Sequence, residues 1–80
     1  MGVKNADGTF TDRCLDRIPV GEPFFVLRAQ DKSAVPKIEA WLRENGERRL
    51  ESTHAAETVA LINEMKAWQE DHPDRVKWPD

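Results

Sequence analysis

Nucleophilic or metal chemistry in this 80-residue chain would have to come from one cysteine and two histidines. Cys14 stands between Arg13 and Arg17, and neighbouring cations lower a thiol's pKa. A nucleophile also needs a base, and no residue is spaced to serve as one, so Cys14 reads as a small semi-buried thiol. His54 and His72 fall on a single helical pattern, roughly 27 Å apart at 1.5 Å per residue. They cannot share a metal within one chain, so no metal and no cofactor are expected. His72 suits the helix C-terminus, where a cation meets the negative end of the dipole. Glu70 and Asp71 belong to an acidic, solvated helix end. Gly2, Gly8, Gly21 and Gly46 are isolated, so no phosphate loop exists. No catalytic residue is expected, and the chain reads as non-enzymatic.

Binding is a better prospect. In EPFFVLRAQDKS (residues 22–33) an apolar run gives way at once to Arg28, Gln30, Lys32 and Ser33. A strand over 24–30 followed by a helix starting near 35 would deliver these side chains beside a helix N-terminus. Unpaired N–H groups and the positive end of the macrodipole lie there. A phosphate or carboxylate suits such a place. Trp41 or Trp68 would supply an aromatic face for a base or ring. The plainer reading is that Arg28 pairs with Asp31 or Glu22, the turn is merely well capped, and both tryptophans serve the core.

The elements that would position these residues follow from pattern. Asp7-Gly8 predicts a β-hairpin over about 2–12. Pro19, Gly21 and Pro23 forbid a long helix in the link, where Leu15, Ile18 and Val20 drop toward the core. Residues 24–30 predict a strand. Phe25, Leu27 and Ala29 would meet the helices, and Phe24, Val26, Arg28 and Gln30 the other side. Val35, Ile38, Trp41 and Leu42 predict a helix over about 35–45, capped by Ser33 or Asp31 and ended by Gly46. A second helix over about 53–71, capped by Ser52 or Thr53 and stopped by Pro73, carries two adjoining stripes: Ala55, Val59, Ile62 and Leu61, Met65, Trp68. So broad an apolar face predicts packing on both a sheet and another helix or subunit. Residues 72–80 form a loose tail or a short edge strand. The expected fold is α+β, one domain over 1–80: a small antiparallel sheet, made of the hairpin and strand 24–30, packed against two helices.

Composition narrows the partners. Net charge is −3, and residues 51–80 hold seven acids against three bases. Non-specific nucleic-acid binding, which rests on a basic surface, is therefore not expected. No apolar run is longer than Phe24–Leu27, too short for a membrane span or a signal peptide. A lone cysteine fits a reducing cytoplasm. A chain this short draws only a few kcal/mol from a single core. With no disulfide or metal available, a homo-oligomer buried partly through the second helix is expected.

EPFFVLRAQDKSAVPKIEAWL, followed downstream by MKAWQ, resembles small, mostly uncharacterised proteins encoded by bacteriophages and prophages. The resemblance covers about the middle half of the chain. It implies a small non-enzymatic protein in a bacterial cytoplasm, acting against host defence by sequestering a nucleotide signal or blocking a host protein. The leading expectation is a binder of an anionic, nucleotide-like small molecule, held by Arg28, Gln30, Lys32 and Ser33 with Trp41 or Trp68 stacking. The alternative is an interaction module or inhibitor of a host protein, acting through an apolar helix face.

Overall fold

In the computed structural model the chain forms a short 3-10 turn at Cys14–Arg17 and two α-helices, α1 (Ala34–Asn45) and α2 (Ser52–Asp71). The structure describes residues 1–12, 14–46 and 52–78, with the backbone alone for Ser52. Among these residues there is no β-strand and no sheet. Pairing is limited to isolated bridges, Lys4 with Phe10 (antiparallel) and Asp31 with Lys77 (parallel). The expected α+β architecture is thus corrected to a mostly helical one. Ser52 and Thr53, expected to cap α2, are instead its first two helical residues, and the last tail residues, 79–80, lie outside what is described.

The missing sheet has local causes. The Asp7-Gly8 turn closes: Gly8 takes φ 91°, and its N–H donates to the Asn5 carbonyl at 3.0 Å. The Asp7 carboxylate accepts the Thr9 hydroxyl at 2.6 Å and the Thr9 N–H at 3.0 Å. Those two bonds, the hydroxyl first, hold the Asp7 carboxyl below the usual aspartate range. One step beyond the Lys4–Phe10 bridge, the Thr11 side-chain hydroxyl accepts the Val3 N–H at 2.9 Å. A side chain has taken the place of a backbone carbonyl, and the ladder stops there.

Residues 24–30 meet a different obstacle. They lie between two turns. One is closed by the Glu22 N–H donating to Pro19 at 3.2 Å, with Gly21 at φ 89° as a type II turn requires. The other is closed by the Asp31 N–H donating to Arg28 at 2.9 Å. Among the described residues, the backbone groups of Pro23–Leu27 make no hydrogen bond. A strand needs a neighbour, and among the described residues none lies alongside Pro23–Leu27; the tail reaches only Gln30 and Lys32.

The helices form close to their expected spans. Pro36 sits in the first turn of α1, where a missing N–H removes no helical bond. The caps differ from expectation. The Ser33 side chain makes no capping bond, and the Asp31 backbone carbonyl accepts the Ala34 N–H at 3.1 Å instead. Gly46 caps the far end in a right-handed conformation, φ −62°, donating to Leu42 at 2.7 Å.

The core is small: Ala34 and Val35 from α1, Ile62 and Met65 from α2, flanked by Leu27, Ala29, Ile38, Leu42 and Leu61. The buried stripe of α2 runs through Thr58, Leu61, Ile62 and Met65 to half-buried Trp68 and Gln69, whereas Val59 is exposed. Thr58 can lie there because its hydroxyl donates to the His54 carbonyl at 2.9 Å. Leu61 and Met65, expected to help cover a subunit contact, are taken up by the chain's own core. Trp41 points outward from α1.

Much surface stays exposed. The accessible area is 6744 Å² for 9.2 kDa. Folded monomers of this mass typically expose about 4,900 Å². The radius of gyration is 13.6 Å, against roughly 11.6 Å for a compact chain of this length.

Candidate functional site

The candidate anion residues sit at the junction of the 28–33 turn, the start of α1, the end of α2 and the tail. Two contacts build that junction. From α2, the Gln69 side-chain amide donates to the Ala29 carbonyl at 2.9 Å and reaches the Asp31 carbonyl at 3.4 Å. From the tail, the Lys77 N–H donates to Gln30 and the Lys77 carbonyl accepts from the Lys32 N–H, both at 2.9 Å. This pair of bonds makes the Asp31–Lys77 bridge and fixes the tail against the turn.

Within this frame Arg28 and Lys32 are exposed, while Gln30 and Ser33 are half-buried. Arg28 makes no ion pair among the described residues, so the plainer reading, pairing with Asp31 or Glu22, is not what the structure shows. The Lys32 ammonium lies 5.4 Å from the ring centre of Trp78, a cation–π contact. Neither expected tryptophan faces this group. Trp68 is stacked on His72 with ring centres 4.4 Å apart, and the Arg75 guanidinium lies 5.9 Å from its ring. Trp41 stands exposed along α1.

Two shallow depressions mark the surface. One, of about 740 Å³, runs between α1 and α2 past Leu42, Ala55, Val59 and Ile62. The other, of about 520 Å³, lies between the N-terminal hairpin and α2. None of Arg28, Gln30, Lys32, Ser33, Trp41 or Trp68 lines either one.

The more prominent feature is the segment just before Arg28. Val20 is 107% exposed, Phe24 64%, Phe25 85% and Val26 54%. Leu27 and Ala29 pack on the core as expected, but Phe25, two residues earlier on the same alternating face, overhangs it. Phe25, expected against the helices, lies beyond the end of the core. Apolar side chains and unpaired backbone groups therefore coincide over 23–27.

Cys14 is free and exposed, not semi-buried. Among the described residues no three His, Cys, Asp or Glu side chains gather as metal ligands, and no helix is long and apolar enough to cross a membrane. No family model, no curated protein and no solved structure matches this chain.

Proposed function

We propose that this chain is a non-enzymatic interaction module that docks another polypeptide on residues 20–28. The observation that carries this is the coincidence of exposed Phe24, Phe25 and Val26 with a backbone that, among the described residues, has no partner over Pro23–Leu27. An exposed run of this kind supplies both ingredients of strand addition: main-chain bonds for affinity and apolar side chains for area. The docking surface differs from the helix face first expected, because Leu61, Ile62 and Met65 of α2 pack on the chain's own core. The proposed setting is a reducing bacterial cytoplasm, supported by the lone cysteine and the phage-protein resemblance. The counter-defence role rests on that same resemblance.

A second reading is favoured by one observation: Arg28, beside exposed Lys32 and the start of α1, has no ion-pair partner among the described residues. On that reading the chain sequesters an anionic, nucleotide-like molecule.

A photoreactive phenylalanine analogue at position 25, in the full chain expressed in bacteria, distinguishes the two. The interaction reading expects a crosslinked polypeptide, together with no thermal stabilisation of the purified protein by nucleoside mono-, di- or triphosphates. Nucleotide stabilisation that Arg28→Ala removes and Phe25→Ser leaves intact would replace it with the ligand reading.

A further inference from the structure

The segment's own residues indicate what covers it. Glu22 and Arg28 are both exposed, and neither takes part in an ion pair among the described residues. They stand at opposite ends of the apolar run, with Phe25 midway between them. Resting on the interaction reading above, we propose that the docked polypeptide is a second copy of this chain, paired antiparallel about Phe25.

A two-fold axis at Phe25 sets Glu22 opposite Arg28, Pro23 opposite Leu27, Phe24 opposite Val26, and Phe25 opposite its own copy. Each charge then meets its opposite, twice over. Phe24 with Val26 and Phe25 with Phe25 are aromatic and β-branched pairs of the kind that stabilises neighbouring strands. Moving the register one pair either way leaves Glu22 opposite Gln30 or Val26 and removes the ion pairs.

The backbone agrees with this register. Antiparallel pairs alternate between those that exchange two hydrogen bonds and those that exchange none, the latter with closer side chains. If Phe25 meets its copy in a non-bonded pair, Pro23 falls in one too, and its missing N–H costs nothing. Phe24 and Val26 then exchange the bonds that each copy alone leaves unmade. The Glu22 N–H stays with Pro19, and the Glu22 carbonyl remains open to the Arg28 N–H of the second copy.

The two overhanging Phe25 rings would close over the junction between the two cores.

Light scattering and sedimentation on the full chain, over low to high micromolar concentration, test the proposal. The wild type is expected to dimerise. Glu22→Arg and Arg28→Glu should each weaken self-association roughly tenfold or more, because each puts like charges opposite one another at both ends. An equimolar mixture of the two variants, and the double variant Glu22→Arg/Arg28→Glu, should restore association to near the wild-type level. In a Cys14→Ser background, Phe25→Cys should form a disulfide-linked dimer on mild oxidation, and Phe24→Cys should not. Circular dichroism confirms that each variant keeps its helices. A wild type that stays at 9.2 kDa overturns the proposal, as does a dimer indifferent to both charge reversals. If the crosslinker at position 25 captures a different polypeptide while the chain remains monomeric, the interaction reading stands and the second copy is ruled out. If it captures none, the interaction reading itself falls.

Discussion

Gln69 links the interaction segment to the helices, and replacing it should loosen the whole junction. Its amide nitrogen donates to the Ala29 carbonyl at 2.9 Å and approaches that of Asp31 at 3.4 Å, in a partly buried position. Gln69→Leu keeps the bulk but leaves the Ala29 carbonyl facing an apolar side chain. Stranding a buried acceptor costs about 1–3 kcal/mol, and partial exposure here puts the loss near ~1–2 kcal/mol. For a chain of this length that is a fall in melting temperature of roughly 5–15 °C. Gln69→Glu should do at least as much harm at neutral pH, since a carboxylate offers these carbonyls no hydrogen. Its ionised form is disfavoured in the fold, so its folded pKa lies above the unfolded value of about 4.3. Stability in that variant is therefore complete below about pH 4.3 and is lost as pH rises through the higher folded value. Thermal melts of wild type and both variants, followed by circular dichroism from pH 4 to 7, give the readout after the wild-type pH trend is subtracted. A Gln69→Leu melting point within about 2 °C of wild type would show that Gln69 does not hold the turn.

Met65→Glu should unfold the chain rather than only alter its oligomeric state, and Ile62→Ala should cost about 2–5 kcal/mol, because both side chains are core; chemical denaturation measures this. Arg28→Ala should shift stability by no more than ~0.5 kcal/mol, since its side chain is exposed and makes no ion pair among the described residues. Cys14→Ser should leave position-25 crosslinking unchanged, because Cys14 is an exposed free thiol on a separate turn. The Asp7 carboxyl should titrate below a typical aspartate by NMR, so its contribution to the turn is present above about pH 3.9 and lost as pH falls through its lower folded value; Thr9→Ala should move it back up.

The helices were legible because Val35, Ile38 and Leu42, and Leu61, Ile62 and Met65, recur at helical spacing and meet one another in the core. The apolar pattern of α2 runs through Val59, slightly off the line that is actually buried, because that line includes polar residues. Thr58 and Gln69 occupy the buried line while satisfying their polar groups locally or on the turn. Gln69 falls four residues after Met65, and a polar residue continuing an apolar line was the signal available for it. The expected strand over 24–30 is absent for another reason. Strand propensity describes fit to a pleated, half-buried surface, and that surface must be supplied by a neighbour. Among the described residues no neighbour lies alongside 23–27, so the part of the segment best patterned for pairing stands unpaired. The tail's contact was foreshadowed only by the alternation in RVKW, which did not name Asp31 as its partner.

Amide hydrogen exchange over residues 24–27 bears on the docking segment itself. In dilute protein these amides have no acceptor within the described chain and should exchange almost as fast as in an unfolded peptide, while the α2 amides around Ile62 and Met65 are protected. As the concentration is raised into the range of self-association, protection should appear at Phe24 and Val26 first. Strong protection of 24–27 in the dilute monomer would mean that the segment is already paired within its own chain. Full exchange at every concentration where the copies associate would mean that they meet elsewhere, and either result would contradict a docking edge at residues 20–28.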